Sequence, residues 1–183
     1  MERILREVYD KIELPQFAEK LRDECYNSIS KLCENAKKQA HKLDSLELQQ
    51  STSQYTSLCN KITDEIEQYL LDRNEKYIPY IQQLSEKATT QHNCSNCTGN
   101  CKLNHDVQLI ELKASHTGIK NILYRLQMVT LPLYSETIYP DAYRILRNQM
   151  ALIESNLTEL YFLEENFLIP KIIEAQKIIN AGS

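Results

Sequence analysis

Glycine is scarce in this chain, with three residues, and proline nearly as scarce, with five. Sandwiches and barrels use both at their many turns, so the composition argues against an all-β fold. Leu, Glu, Lys and Gln are abundant, a balance that favours helix. No apolar run approaches the roughly 20 residues that span a bilayer, so no membrane association is expected. The opening Met1-Glu2-Arg3 is not followed by the apolar core of a signal peptide. A cytoplasmic location is therefore the expectation, and the sequons at Asn93, Asn96 and Asn156 are read as chance matches. Positive charge is not concentrated anywhere. The net charge is -4 with Lys and Arg scattered, which argues against nucleic acid as a partner. A Gly-rich phosphate loop, a G-x-S-x-G elbow and an H-E-x-x-H motif are all missing, which removes most of the support for nucleophilic and phosphoryl-transfer enzymes. Catalysis is not the leading expectation.

What is present fits one globular domain. The 183 residues can bury a substantial core, and 42% hydrophobic with 25% charged is not the composition of a disordered chain. Four long helices are expected: about Pro15 to Leu48 (with a short helix before it over Glu2 to Ile12), about Thr52 to Ala88, Asn104 as N-cap to about Thr130, and about Asp141 to Asn180. Residues 89–105 form a Cys-rich loop between helices two and three, and Pro132 and Pro140 bracket the next connection. Short connections between four such helices predict an antiparallel up-down four-helix bundle. On helix three, Leu109, Leu112, His116, Ile119, Leu123 and Leu126 repeat at spacings of three and four. On helix four, Met150, Ile153, Leu157, Leu160, Glu164 and Phe167 do the same. This rhythm marks a core seam, and it sets one histidine and one carboxylate among apolar positions.

A faint internal repeat accompanies the seams. Tyr77-Ile78-Pro79-Tyr80-Ile81 and Leu168-Ile169-Pro170-Lys171-Ile172 each put proline inside a helical run, 91 residues apart. The same offset carries His116 to Cys25 and Glu164 to Arg73, as a duplicated helical hairpin would.

Six cysteines in a cytoplasmic chain are not expected to form structural disulfides. Cys25, Cys33 and Cys59 lie alone in helical stretches and read as small apolar packing groups. Cys94, Cys97 and Cys101, with His92 before them and His105 after, form a C-x2-C-x3-C-x3-H pattern. Gly99 and the neighbouring asparagines supply the tight turns of a metal knuckle. Three thiolates and an imidazole suit a tetrahedral zinc site, and three thiolates with another ligand suit iron or an iron–sulfur cluster. The alternative is a flexible loop of thiols. The seam pair leaves two readings as well. His116 and Glu164 could ligate a metal inside the bundle, or Glu164 could pair with Arg73, which occupies the equivalent seam position of helix two. Counted from the loop between helices three and four, these two residues differ in height by about 14 Å unless that loop absorbs the difference.

Leu109-Ile110-Glu111-Leu112-Lys113-Ala114-Ser115-His116-Thr117-Gly118-Ile119-Lys120 resembles the first helix of a hemerythrin-like, or HHE cation-binding, domain, where an early histidine follows an amphipathic lead-in. Leu160-Tyr161-Phe162-Leu163-Glu164-Glu165-Asn166-Phe167-Leu168-Ile169-Pro170 is similar to that family's second signature, a histidine and then a glutamate ahead of a Leu-Phe-Pro-like kink. Leu70 to Ile81 is a similar segment. The resemblance implies a four-helix bundle around a non-heme di-iron centre, serving oxygen binding, gas sensing or iron handling. It implies metal-ligand roles for His116 and Glu164. Leu160 stands where the second-motif histidine belongs, and Arg73 stands where helix two would offer a ligand. The resemblance is thus to a member degenerate in its ligands, with the cysteine loop as the remaining metal site.

The expected function is a metal-binding hemerythrin-like protein with iron or zinc at the loop, acting in metal, oxygen or redox sensing or in metal handling. Two other readings stand beside it. One is a non-catalytic interaction module that binds a protein partner, with a structural zinc loop. The other is an iron-dependent oxidoreductase.

Overall fold

Two prolines that should break helices instead sit just behind widened turns. The computed structural model describes residues 8–46, 50–90, 92, 97, 101–130 and 141–181. Four long helices carry the described chain. Helix one runs through Leu14–Leu21, Arg22–Tyr26 and Asn27–Asp44. Helix two runs through Gln50–Asp72, Arg73–Tyr77 and Ile78–Thr89. Helix three is Cys101–Thr130, and helix four runs through Asp141–Leu163, Glu164–Leu168 and Ile169–Ala181. The middle segment of helices one, two and four is a π-turn, closed by a bond from an N–H to the carbonyl five residues back: Asn27 to Arg22, Ile78 to Arg73 and Ile169 to Glu164. Proline inside an α-helix removes a hydrogen bond and presses its ring on the carbonyl four residues back. A wider turn before Pro79 and Pro170 makes room for that carbonyl. The two turns and their prolines are related by the 91-residue offset that the sequence carries. The turn at Arg22–Tyr26 has no such proline behind it.

The seams pack as their spacing predicts. Met150, Ile153, Leu157, Leu160, Glu164 and Phe167 are all buried on helix four. On helix three Leu112, His116, Ile119 and Leu126 are buried, while Leu109 and Leu123 are half-buried at the edge. Leu14–Leu21 packs on Ile78–Thr89, and Asn27–Asp44 packs on Gln50–Asp72 and on Asp141–Leu163. Helix three lies against Gln50–Asp72 and both long segments of helix four. Cys33 and Cys59 are core residues, and burial pushes both thiols up to about 12. Both therefore behave as small apolar side chains. No helix among the described residues is long and apolar enough to cross a membrane.

Two expectations shift. Helix three begins at Cys101, a turn before Asn104, which brings Cys101 and His105 onto one helical face. His116 and Glu164 are not separated in height but touch, at 3.1 Å. The reason is a staggered register. Thr130, the last residue of helix three, bonds to Glu154, thirteen residues beyond Asp141, so helix four extends several turns past the end of helix three. There Tyr143 packs on Tyr55 with ring centroids 4.8 Å apart.

Candidate metal centre

The end of helix two and the start of helix three meet around His92, Cys97 and Cys101. Helix two closes with Thr90 N–H on Glu86 O at 2.9 Å and His92 N–H on Lys87 O at 3.0 Å. The second bond folds the chain back across the last turn, as a Schellman-type cap does, and sets His92 beside Lys87. Cys101 opens helix three and packs against the core. One ligand atom from each of His92, Cys97 and Cys101 falls within 4.8 Å of the other two. Tetrahedral zinc with bonds of about 2.0–2.3 Å needs its donors roughly 3.3–3.8 Å apart, so small side-chain movements close the set. The donor chemistry fits a soft or borderline cation such as zinc or iron, and not magnesium or calcium. A second observation agrees. His92 Nε2 is buried and has no hydrogen-bond partner among the described residues, a state that a ring nitrogen tolerates poorly without a ligand.

His105 stands one turn after Cys101 but outside this three-residue group. Its Nε2 lies 3.3 Å from Lys87 Nζ, which also donates to Cys101 Sγ at 3.5 Å. Its carbonyl accepts from Gln176 Nε2 at 2.7 Å and from Tyr80 OH at 3.5 Å, and Gln176 donates to Tyr80 OH at 2.8 Å. These bonds fix the first turn of helix three against helices two and four. Burial, and then the Lys87 ammonium, lower the His105 pKa below its ordinary value. Cys94, expected as a ligand, lies outside the described residues.

The second constellation assembles where side chains from the three π-turns meet. Tyr26 ends the first turn, Arg73 begins the second and Glu164 begins the third. Arg73 grips Glu164 with two parallel bonds, Nε to Oε1 at 2.9 Å and Nη2 to Oε2 at 3.0 Å. Both side chains are fully buried. Tyr26 OH donates to Oε1 at 3.1 Å and Tyr69 OH to Oε2 at 2.5 Å, while His116 Nδ1 is 3.1 Å from Oε2. Arg73 spends its remaining reach on Tyr69 OH at 2.6 Å and Ser115 Oγ at 3.1 Å. His116 stacks on Tyr161 with centroids 4.4 Å apart. Its Nε2 is 2.7 Å from Glu165 Oε2 but lacks hydrogen-bond geometry. The sequence offered two readings of His116 and Glu164. The structure brings the pair together and puts the Arg73 guanidinium on the same carboxylate. A dication bound there would have to expel a bidentate cation from a fully buried position.

Burial on its own would raise the Glu164 pKa. Arg73 outweighs it, with bonds from His116, Arg73 and Tyr69, and the carboxyl titrates near 2. Its ordinary value is 4.5. A folded pKa below the unfolded one means the stabilisation is complete above about pH 4.5 and is lost as pH falls towards 2. Urea midpoints of the wild type are therefore expected to fall across that window, and Glu164→Gln is expected to flatten the fall. Equal acid slopes in the two proteins would rule this out.

Sequence reasoning missed Lys87 and Tyr26. Nothing in the spacing singles out Lys87, since its role comes from the chain reversal after helix two. The 91-residue offset pointed to Cys25 as the counterpart of His116. The π-turn at Arg22–Tyr26 adds a residue to the turn, and Tyr26 becomes the buried side chain while Cys25 is half-buried. No protein family, curated protein or solved structure matches this chain.

Proposed function

We propose that this chain is a metal-binding helical bundle that holds one transition-metal ion between the end of helix two and the start of helix three. The observation that carries the reading is the convergence of His92, Cys97 and Cys101 within 4.8 Å. Cys94 and His105 are the candidates for the fourth position of a Cys3His or Cys2His2 set, with zinc or iron as the ion. In this reading the helices form an antiparallel up-down, hemerythrin-like bundle. Support comes from the pairing of Thr130 with Glu154, His116 with Glu164 and the His105 carbonyl with Gln176, a ladder that rises on one helix as it falls on the other. The Arg73–Glu164 pair takes the interior position that a di-iron centre would need, so the metal chemistry belongs to the loop. The role is metal or redox sensing, or metal handling, and not catalysis. We assign it to the cytoplasm, where thiol ligands stay reduced.

The interaction-module reading keeps specific support from helix three. Leu103, Val107, Ile110, Tyr124 and Met128 are exposed on its outward face, at spacings that keep them in one stripe. The two readings separate by elemental analysis and a visible spectrum on protein purified without oxygen. Iron at one ion per chain with a charge-transfer band is expected for a sensor. One colourless zinc per chain moves the assignment to an interaction module with a structural loop. Protein that carries no metal and takes up neither zinc nor iron under reducing conditions overturns the metal-binding reading.

A further inference from the structure

We propose that Lys87 is a gate on this centre, an internal cation that the incoming metal must displace. The inference rests on the metal-binding reading above and concerns how that site is controlled. Lys87 touches three of its candidate ligands. Its backbone carbonyl holds the His92 N–H at 3.0 Å, and its ammonium lies 3.5 Å from Cys101 Sγ and 3.3 Å from His105 Nε2. The ammonium has only donors, so at both contacts the ligand supplies the lone pair. At His105 Nε2 that is the lone pair a metal needs, whereas the Cys101 sulfur has further lone pairs and can hold a metal and Lys87 together. A ring nitrogen with one lone pair cannot serve Lys87 and a metal together, so recruitment of His105 as fourth ligand requires Lys87 to withdraw. Lys87 is half-buried on the last turn of helix two, and its flexible stem can swing to solvent without moving the helix.

Displacement has two consequences. Metal affinity is lower than the same ligands would give without a resident cation, because the metal must displace Lys87 from His105 and accept a positive charge nearby. Binding also frees His105 Nε2 while the His105 backbone stays anchored by Gln176 and Tyr80. The metal would then bridge the end of helix two and the start of helix three in place of the lysine, giving a Cys2His2 set of His92, Cys97, Cys101 and His105. With two thiolates and a dication that set is neutral, and the ammonium is no longer needed beside it.

The test is a cobalt(II) titration of the reduced full chain, followed by its visible d–d bands and the thiolate charge-transfer band, with zinc as competitor. Lys87→Met is expected to bind cobalt about tenfold or more tightly than wild type, about 1.4 kcal/mol for each factor of ten. Lys87→Arg, which keeps the charge, is expected to stay close to wild type. In a His105→Ala background the gain from Lys87→Met is expected to shrink, since the lone pair that the substitution releases is gone. Equal affinity of wild type and Lys87→Met overturns the gate and leaves the metal-binding reading intact. Weaker binding by Lys87→Met also overturns it, because Lys87 would then support a bound thiolate. If neither protein binds cobalt or zinc, the metal-binding reading fails and the gate fails with it.

Discussion

Arg73→Leu is expected to cost the fold about 3–5 kcal/mol, the usual penalty for removing one partner of a buried ion pair. The cost comes mainly from what is left behind. Glu164 is fully buried and would be left without a counter-ion, in a core that offers it only Tyr26, Tyr69 and His116. The carboxyl would respond by taking up a proton, so the variant should also lose stability as pH rises through neutrality. Adding Glu164→Leu to Arg73→Leu removes both charges and should recover a good part of the loss. Recovery stays incomplete, because the Tyr26 and Tyr69 hydroxyls and His116 Nδ1 then lose their shared acceptor. Urea unfolding of the wild type, both single variants and the double variant supplies the cycle. A single Arg73→Leu variant within about 1 kcal/mol of wild type, the range of an exposed pair, would show that the cluster is more hydrated than its burial implies.

The second large effect concerns Cys97. Cys97→Ser is expected to lose the metal, to lower the thermal midpoint to that of metal-stripped wild type, and to leave most of the helicity in place. Structural zinc contributes on the order of 10 kcal/mol to folding in peptides that have little else to hold them. Here the helices have their own core, with Ile62, Ile66, Leu84, Leu112, Leu126 and Leu157 fully buried. The loss should therefore be local, in the segment between helices two and three. Circular dichroism before and after, with the metal-to-protein ratio, decides the matter. An unchanged ratio in Cys97→Ser would exclude Cys97 as a ligand.

Much of the architecture was legible in the spacing of apolar residues. Helix four shows this best, since all six of its seam positions from Met150 to Phe167 are buried, Glu164 included. A carboxylate in such a seam demands a partner, and Arg73 emerged as one because the 91-residue offset set it at the matching position. The rest of the cluster was not legible. Tyr26 entered through a π-turn with no proline to signal it, and Ser115 entered only through the reach of the guanidinium. Contact between His116 and Glu164 depended on a stagger between helices three and four that residue counting cannot supply. At the candidate metal centre, ligand types and spacing pointed to Cys94, Cys97, Cys101 and His105, with His92 as a further ligand; the structure brings His92, Cys97 and Cys101 together, leaves His105 outside that group, and does not describe Cys94. Lys87 was invisible because a lysine at a helix C-terminus ordinarily serves the helix dipole and solubility.

The π-turn in helix four acts at a distance through phase. Each extra residue in a helical turn rotates everything beyond it by about 100° relative to an unbroken α-helix. Deleting one residue from 164–168 would restore the ordinary winding and turn Ile172, Gln176 and Ile179 away from the core positions they fill. Gln176 is the side chain that grips the His105 carbonyl, so the rotation would release the first turn of helix three. The winding of helix four near its midpoint thus sets the aim of a histidine at the far end of the bundle. A single-residue deletion there should reach the ligand loop without altering any residue in it.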